Sequence, residues 1–253
     1  MNDFRELHGR DNGTWAVHDS RAHGRAVRSM FARIAGVYDL MNHLLSLNRD
    51  RAWRDRVASR LDPDTWEVLD LCAGTGDLAL ACLRAGKGRE WIAADFCPEM
   101  LRGAQGKPGA DKLWYTAADA LNLPLGNSCV DAVTVGFGVR NFADVRRGLE
   151  EIQRVLRPGG QLLVLEFFRD DKNGSGSRKG VSYPIRVMLD TFIPLLGRIF
   201  GGDGKAYSYL PSSMDQFLTT TQFVDLLAEY GFVETFVERQ TFGIAHIVGG
   251  KLP

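Results

Sequence analysis

Downstream of residue 63, short apolar runs alternate with longer stretches that have helical spacing. The runs predict strands at Glu67–Leu71, Trp91–Ala94, Leu113–Ala117, Val130–Val135 and Gln161–Phe167. The intervening stretches predict helices at Asp77–Ala85, Pro98–Gln105 and Asp144–Leu156. Strands that alternate with helices are typical of βαβ units, so we expect an α/β fold whose parallel sheet binds its ligand at the carboxyl ends of the strands.

Upstream of this region, apolar residues recur at intervals of three and four, which is the spacing of one helix face. The pattern predicts a long helix and then a second one before Pro63; the positions are Val27, Met30, Phe31, Ile34, Tyr38, Met41 and Leu45, and then Trp53, Val57 and Leu61. We expect residues 26–62 to form a helical cap. Residues 1–25 are polar and aperiodic, and we expect them to be a disordered tail.

Residues 168–215 are expected to be an insertion on the substrate side of the fold. They combine the Gly- and Ser-rich stretch 170–180 with the lipophilic segment Tyr183–Phe200. A last helix and an antiparallel pair of strands are predicted at Thr221–Tyr230, Phe232–Glu238 and Thr241–Val248. Residues 26–253 would then form one domain.

The composition is that of an ordinary globular protein, with 253 residues, 45% hydrophobic and 25% charged. The 31 basic and 31 acidic side chains cancel, which argues against a nucleic-acid-binding protein. The four cysteines form no CxxC pair, so we expect no metal site and reduced thiols in a cytoplasmic protein. No apolar run of about 20 residues could span a bilayer, although peripheral membrane contact stays open.

The sharpest local motif is the loop Gly74-Thr75-Gly76, which follows the first predicted strand and begins a helix. Glycines at this place let the backbone approach a ligand closely. The third glycine position of a dinucleotide fingerprint is Ala79, which the relaxed form of that fingerprint allows. The glycines therefore leave both NAD and S-adenosylmethionine open, whereas the absence of a following phosphate-binding lysine excludes a P-loop.

Three acids near the ends of the first three strands narrow this choice. Asp95 follows the second strand, where a carboxylate can accept both hydrogen bonds of a ribose diol. Asp119 follows the third strand and suits an adenosyl ligand better than a pyrophosphate. Asp70 lies at the end of the first strand and could orient the loop or face the cationic part of the ligand.

Three longer motifs give the chain a more specific resemblance. They are Tyr38-Asp-Leu-Met-Asn-His-Leu-Leu-Ser46 with Trp53, Gly136-Phe-Gly-Val-Arg-Asn141, and Arg154-Val-Leu-Arg-Pro-Gly-Gly-Gln-Leu-Leu-Val-Leu-Glu166. With them the chain resembles the ubiquinone/menaquinone biosynthesis C-methyltransferase family, from about Val27 to Lys251. The resemblance implies a Rossmann-like class I methyltransferase, with a mostly parallel seven-stranded sheet, a C-terminal antiparallel hairpin and N-terminal helices.

The family resemblance also implies S-adenosylmethionine as the cofactor and a polyprenylated quinol ring as the methyl acceptor. Demethylmenaquinol is the acceptor we expect, and 2-methoxy-6-polyprenyl-benzoquinol is the alternative. The candidate cofactor-binding residues are Asp70, Gly74, Thr75, Gly76, Asp95, Phe96, Asp119, Ala120 and Gly136. A lipophilic substrate would also favour peripheral membrane contact, and a homodimer is left open.

The chain departs from the family pattern at two positions. Asp50 stands where the family usually has a histidine, four residues after Ser46, which puts an acid or base role there in doubt. Phe168 stands where the family often has serine after Glu-Phe, and we interpret it as a packing change.

The candidate catalytic residues are Arg140, Asn141, Tyr38 and Asp39. Carbon methylation needs a phenolate-like ring, and Arg140 could stabilise that charge or hold the water that takes the proton. A structural salt bridge is the competing interpretation for Arg140, and a structural hydrogen bond the competing one for Tyr38 and Asp39. For the whole chain, the alternatives are an NAD(P)-dependent oxidoreductase and a non-catalytic subunit that binds an adenosyl ligand.

Overall fold

A computed structural model describes residues 20–169, 213–214 and 217–253, which contain one seven-stranded sheet. The strands are β1 Glu67–Leu71, β2 Glu90–Asp95, β3 Leu113–Ala117, β4 Val130–Gly136, β5 Leu156–Glu166, β6 Val233–Gln240 and β7 Ala245–Lys251. Their order is β3-β2-β1-β4-β5-β7-β6, with β1 to β5 parallel and β7 antiparallel to both of its neighbours. The α/β sheet and the C-terminal antiparallel hairpin are therefore as predicted.

Seven α-helices of four residues or more lie in the described ranges, and we number them in chain order. They are α1 Ser20–Ile34, α2 Tyr38–Leu45, α3 Arg49–Arg60, α4 Asp77–Arg84, α5 Pro98–Ala104, α6 Val145–Val155 and α7 Thr220–Glu229. Side chains fix several of the helix ends. The carboxylate of Asp144 accepts a hydrogen bond from the backbone N–H of Arg147, and Thr219 and Gln222 form a reciprocal capping box.

Three predictions about local structure were wrong. The single helix expected over residues 27–45 is broken by a 3-10 turn at Ala35–Val37, where Gly36 has a low helix propensity. The α1 helix starts at Ser20, so part of the stretch expected to be a tail is helical. The final strand begins at Ala245 because Thr241–Gly243 forms a 3-10 turn in which Phe242 has a φ of 59°.

The two faces of the sheet alternate along each strand, and each face carries its own core. On β1, Leu69 packs on the side that is covered by α6 and α7, whereas Val68 packs on the side of α3 and α4. Both side chains are fully buried. This double cover leaves the carboxyl ends of the central strands as the place where a cavity can open.

Most of the predicted insertion 168–215, including the lipophilic segment Tyr183–Phe200, lies outside the described residues. Residues 1–19 of the predicted tail also lie outside them. In the part of the chain that is described, no helix is long and apolar enough to cross a membrane.

Candidate active site

A cavity of about 340 Å³ lies at the carboxyl ends of β1, β2 and β4 and beneath α1. Its lining is mainly apolar, as is typical of small-molecule sites. The lining includes Gly24, Val27, Arg28, Phe31, Tyr38, Cys72, Gly74, Asp95, Phe96, Met100, Asp119, Ala120, Gly136, Phe137, Asn141 and Phe142. The structure thus brings eight of the thirteen predicted site residues to one cavity.

The loop after β1 presents its backbone to this cavity. Gly74 and Gly76 have φ values of +56° and +75°, in the left-handed region that favours glycine. A Cβ at Gly74 would lie 3.4 Å from the Cε of Met100, which is close to an ordinary contact distance, so the left-handed backbone and not a lack of space favours glycine here. Gly74 lines the cavity, whereas Gly76 is at the N-cap of α4, behind the lining.

Asp95 lies at the end of β2, and its carboxylate is held by two backbone groups. One oxygen accepts a hydrogen bond of 2.8 Å from Gly74 N–H, and the other accepts one of 2.7 Å from Cys97 N–H. Burial raises the pKa of Asp95 above its ordinary value, and these two bonds oppose the rise. Because an ionised carboxylate offers about four acceptor sites, both oxygens can still accept from a ribose diol.

The segment after β3 also lines the cavity. Asp119 lines the cavity and accepts a 2.9 Å hydrogen bond from Leu121 N–H, which fixes its side chain. Ala120 lies beside it, and Phe96 extends this lining after β2. Gly136, at the end of β4, completes the set of predicted cofactor residues that reach the cavity.

Two predicted cofactor residues point elsewhere. Asp70 is buried below the loop and accepts hydrogen bonds from Thr134 Oγ1 at 2.8 Å and Ala79 N–H at 3.2 Å. Its burial raises its pKa to about 7. The Thr75 hydroxyl donates to Asp39 at 2.5 Å. Asp70 therefore links the end of β1 to β4 and α4, and Thr75 links the loop to α2. The orienting role considered for Asp70 stays a prediction.

The α1 helix, part of the predicted cap, forms a wall of the cavity. Arg28 lies over the ring of Phe96 at 5.9 Å, and a Cβ at Gly24 would be 3.7 Å from that ring. Phe31 stacks edge-on against Tyr38 at 5.9 Å. Apolar spacing indicated that α1 is amphipathic, but it could not distinguish a face that packs on the core from one that covers a ligand.

Of the predicted catalytic residues, Tyr38 and Asn141 line the cavity. Tyr38 is hydrogen-bonded to Asn42, and burial raises the pKa of its phenol. The Nδ2 of Asn141 donates to the carbonyl of Phe137 at 3.3 Å, across the turn that follows β4. Both side chains are therefore fixed beside the same apolar space.

Arg140 lies behind the cavity wall instead of in it. Its Nη1 lies 2.5 Å from Glu166 Oε1 and donates to the Phe137 carbonyl at 3.0 Å, and its guanidinium is 5.6 Å from the ring of Phe167. Glu166 is fully buried, and burial raises its pKa although the Arg140 charge opposes the rise. Glu166 closes the third sequence motif, yet its pairing with Arg140 across two strand ends needed the fold.

Asp39 likewise faces the protein. Besides Thr75, its carboxylate contacts the ammonium group of Lys107 at 2.6 Å, and it does not line the cavity. Sequence reasoning missed Lys107, which stands in a turn after α5 without a motif around it.

Asp50 and Phe168, the two departures from the family pattern, both make defined contacts in the structure. Asp50 is buried and is bonded to His43 at 2.7 Å, to Ser46 at 2.6 Å and to Arg54. Burial alone would raise the pKa of Asp50, but the bonds from Ser46 and Arg54 lower it. Phe168 is buried against Phe217, at a ring distance of 5.4 Å, which agrees with a packing role for this side chain.

Among the described residues, His43, Asp50 and Asp77 place possible metal-ligating atoms within 4.8 Å of one another. The guanidinium of Arg54 contacts both carboxylates, with Asp77 at 3.5 Å. A cationic side chain therefore already balances part of the charge of this cluster.

Comparison with known proteins gives a consistent result. The sequence pattern of the ubiE/COQ5 methyltransferase family matches residues 17–251. The chain is 41% identical over 227 residues to a demethylmenaquinone methyltransferase of Thermus thermophilus, covering 88% of this chain and 100% of the relative. It is 40% identical over 239 residues to the enzyme of the same name from Deinococcus radiodurans, covering 93% and 96%.

Solved structures agree on the fold. A SAM-dependent methyltransferase of Thermotoga maritima superposes with a TM-score of 0.60 at 19% identity, covering 89% of this chain and 99% of that one. The predicted class I methyltransferase fold and the predicted cofactor, S-adenosylmethionine, are thus confirmed. The chain is a methyltransferase and belongs to the ubiE/COQ5 methyltransferase family.

Proposed function

We propose that the protein transfers a methyl group from S-adenosylmethionine to a ring carbon of demethylmenaquinol. The observation that carries this proposal is the joining of two surfaces in one cavity. A polar wall with Asp95 suits the adenosyl group, and an apolar wall with Phe31, Phe137 and Phe142 suits an aromatic ring. The names of the relatives from Thermus and Deinococcus support demethylmenaquinol as the acceptor.

The reaction forms a bond between a ring carbon and the methyl carbon as the bond from methyl to sulfur breaks. S-adenosylhomocysteine leaves. The ring first gives its phenolic proton to water, and after the methyl transfer it loses the hydrogen of the methylated carbon. A proton then returns to the ring oxygen and restores the quinol, so that one proton is released to water overall. The bound cofactor supplies the electrophilic methyl group. The protein must therefore hold the ring in line with it and stabilise the phenolate.

The described residues divide these tasks. Asp95 and Asp119 hold the adenosyl group, while Tyr38 and Asn141 lie where they can orient the ring hydroxyl groups. Arg140 places a positive charge behind the Phe137–Asn141 turn, and this charge favours a phenolate in front of it. Glu166 offsets part of the positive charge of Arg140. The stabilisation of a phenolate by Arg140 therefore depends on the guanidinium being nearer to the ring than the Glu166 carboxylate is.

Incubating the protein with S-adenosylmethionine labelled in the methyl group tests this proposal directly. We expect label on the ring carbon of demethylmenaquinol, identified by mass spectrometry. Faster labelling of 2-methoxy-6-polyprenyl-benzoquinol would favour the ubiquinone alternative. Binding of the cofactor without labelling of either quinol would favour a non-catalytic subunit, and a fluorescence change with reduced nicotinamide alone would favour an oxidoreductase.

We further propose that the cap touches an anionic membrane surface, which would supply the lipophilic quinol. The α2 helix buries Met41 and Leu45 on one face and exposes Leu40 and Leu44 on another, 51% and 44% accessible. Leu47, which is 71% accessible, continues this apolar surface. Exposed arginines follow at Arg49 and Arg51. An apolar face beside exposed cations is the pattern of an element that lies in a membrane interface.

Sedimentation with lipid vesicles tests this contact. We expect binding to vesicles that contain phosphatidylglycerol and much weaker binding to pure phosphatidylcholine. The double variant Leu40→Ser, Leu44→Ser should lose binding, whereas Trp114→Ser, which removes a 69% exposed side chain from the edge strand β3, should retain it. A change in oligomeric state without a change in vesicle binding would instead assign this face to contact between copies of the chain.

A further inference from the structure

Lys107 joins the cap to the body of the protein. Its ammonium group lies 2.6 Å from a carboxylate oxygen of Asp39, on α2, and 2.6 Å from one of Asp77, at the start of α4. The other oxygen of Asp39 accepts the 2.5 Å hydrogen bond from the Thr75 hydroxyl. Three segments that are far apart in sequence thus meet at one ammonium group, and we call these four residues the clasp.

The clasp lies next to the cavity without being part of its lining. Thr75 stands between Gly74, which lines the cavity, and Gly76, which is the N-cap residue of α4. Asp39 directly follows Tyr38, which also lines the cavity. A bond between Asp39 and Thr75 therefore fixes the wall that comes from the cap relative to the loop that holds the cofactor.

Two observations separate this arrangement from an ordinary surface ion pair. The three charged side chains are 22–31% accessible, so solvent screens them only partly. Arg54 adds a second link, because it contacts both Asp77 and the buried Asp50 of its own helix α3. The cap is thus tied to Asp77 from two helices, and a network of this kind contributes more than an isolated pair.

We propose that Lys107 is a positioning residue that holds the cap closed over the bound cofactor through Asp39 and Thr75. This inference rests on the proposed function only in that the cavity binds S-adenosylmethionine. It also assigns Asp39 a different role from the catalytic one expected from the sequence. The carboxylate of Asp39 is engaged by an ammonium and a hydroxyl group, which suits a latch better than a proton acceptor.

Calorimetric titration and stopped-flow measurement with S-adenosylhomocysteine test the clasp without any methyl acceptor. We expect Lys107→Met to bind this product on the order of five- to tenfold more weakly, mainly through faster dissociation. Lys107→Arg should recover most of the affinity because it restores a cation. Asp39→Asn should weaken binding similarly, and the double variant should be little worse than either single one because both remove the same link.

The matched control is Lys251→Met, which removes a lysine that lies 2.9 Å from Asp62 and does not line the cavity. It should leave the affinity unchanged.

If Lys107→Met does not fold, Thr75→Val keeps the shape of the side chain and removes the hydroxyl donor, and it should also speed dissociation. Unchanged dissociation in the folded variants, or additive effects of Lys107→Met and Asp39→Asn, would overturn the inference. Failure of the unaltered protein to bind S-adenosylhomocysteine would instead overturn the proposed function, and the inference with it.

Discussion

On the side of the cavity that we propose binds the cofactor, the carboxylate of Asp95 is held by the backbone N–H groups of Gly74 and Cys97. On the side of β4 and β5, the carboxylate of Glu166 is held by the guanidinium of Arg140. Asp95 keeps acceptor capacity for a ligand, whereas much of the charge at Glu166 is balanced within the protein. A charged residue in a functional motif can therefore serve either the ligand or the wall behind it, and its partners decide which.

The strongest test of this contrast is Glu166→Ala. It leaves the guanidinium of Arg140 buried without its carboxylate, and breaking a buried pair in this way typically costs about 3–5 kcal/mol. Chemical denaturation should show a loss of this size in the free energy of unfolding. Glu150→Ala, which removes a 48% exposed partner of Arg147, is the control and should cost less than about 1 kcal/mol. Equal losses would mean that the buried Arg140–Glu166 pair stabilises the fold no more than an exposed pair does.

Arg140→Ala tests whether the pair also serves catalysis. We expect turnover to fall by at most about 100-fold, because Arg140 stabilises the developing charge from behind the Phe137–Asn141 turn and does not touch the ring. The affinity for S-adenosylmethionine should be almost unchanged. Turnover is measured with saturating quinol, and affinity by calorimetry on the same folded sample. If the affinity for S-adenosylmethionine fell together with turnover, Arg140 would serve cofactor binding, as we propose for Asp95.

The buried Asp70 gives a pH test of the cofactor side. Its pKa in the folded protein is raised to about 7, from an ordinary 3.8, so the folded state binds the proton more tightly. The stabilisation is fully present below pH 3.8 and is lost as the pH rises to about 7, with a change on the order of 2 kcal/mol between pH 5 and 7. Unfolding curves of Asp70→Asn should lack this part of the slope, and an unchanged slope would assign it to other acids.

Asp95→Ala is expected to have the smallest effect. Losing two hydrogen bonds to a ribose should weaken S-adenosylmethionine binding by roughly tenfold, or about 1.4 kcal/mol. Calorimetric titration measures this, with Asp111→Ala, an acid that does not line the cavity, as the control. An affinity equal to that of the unaltered protein would remove Asp95 from the ribose site.

The sequence predicted that Gly74 and Asp95 would lie together because these signals are local. Gly74 follows one strand and Asp95 ends the next, and the topology of a parallel sheet brings such positions together. Their binding of the cofactor stays a prediction. The partners of Arg140 and Asp39 could not be predicted in the same way. Glu166 is 26 residues from Arg140, and Lys107 lies in a turn, so only the packed fold shows that these charges meet.

Local backbone conformation was also beyond the sequence pattern. Cys72 and Phe137 have φ values of 58° and 57°, although neither is glycine. Each costs on the order of 1–2 kcal/mol, which the surrounding packing must offset. Because cysteine and phenylalanine rarely adopt a left-handed backbone, the sequence could not predict it at these positions.

The contact between Cys72 and Gly138 has a consequence for how this sequence can vary. A Cβ at position 138 would lie 2.5 Å from the Cβ of Cys72, so the two loops share space for one side chain. Related chains should then place a side chain at one of these positions and glycine at the other. Glycine at position 72 would relieve its left-handed backbone and would remove the two shortest contacts of an alanine Cβ at position 138, leaving only the Cγ1 of Val135 at 3.0 Å to adjust. Gly138→Ala alone would push the two loops apart. Substitutions at the two loops are thus linked as a pair, and the order in which they arise matters: position 72 must change first.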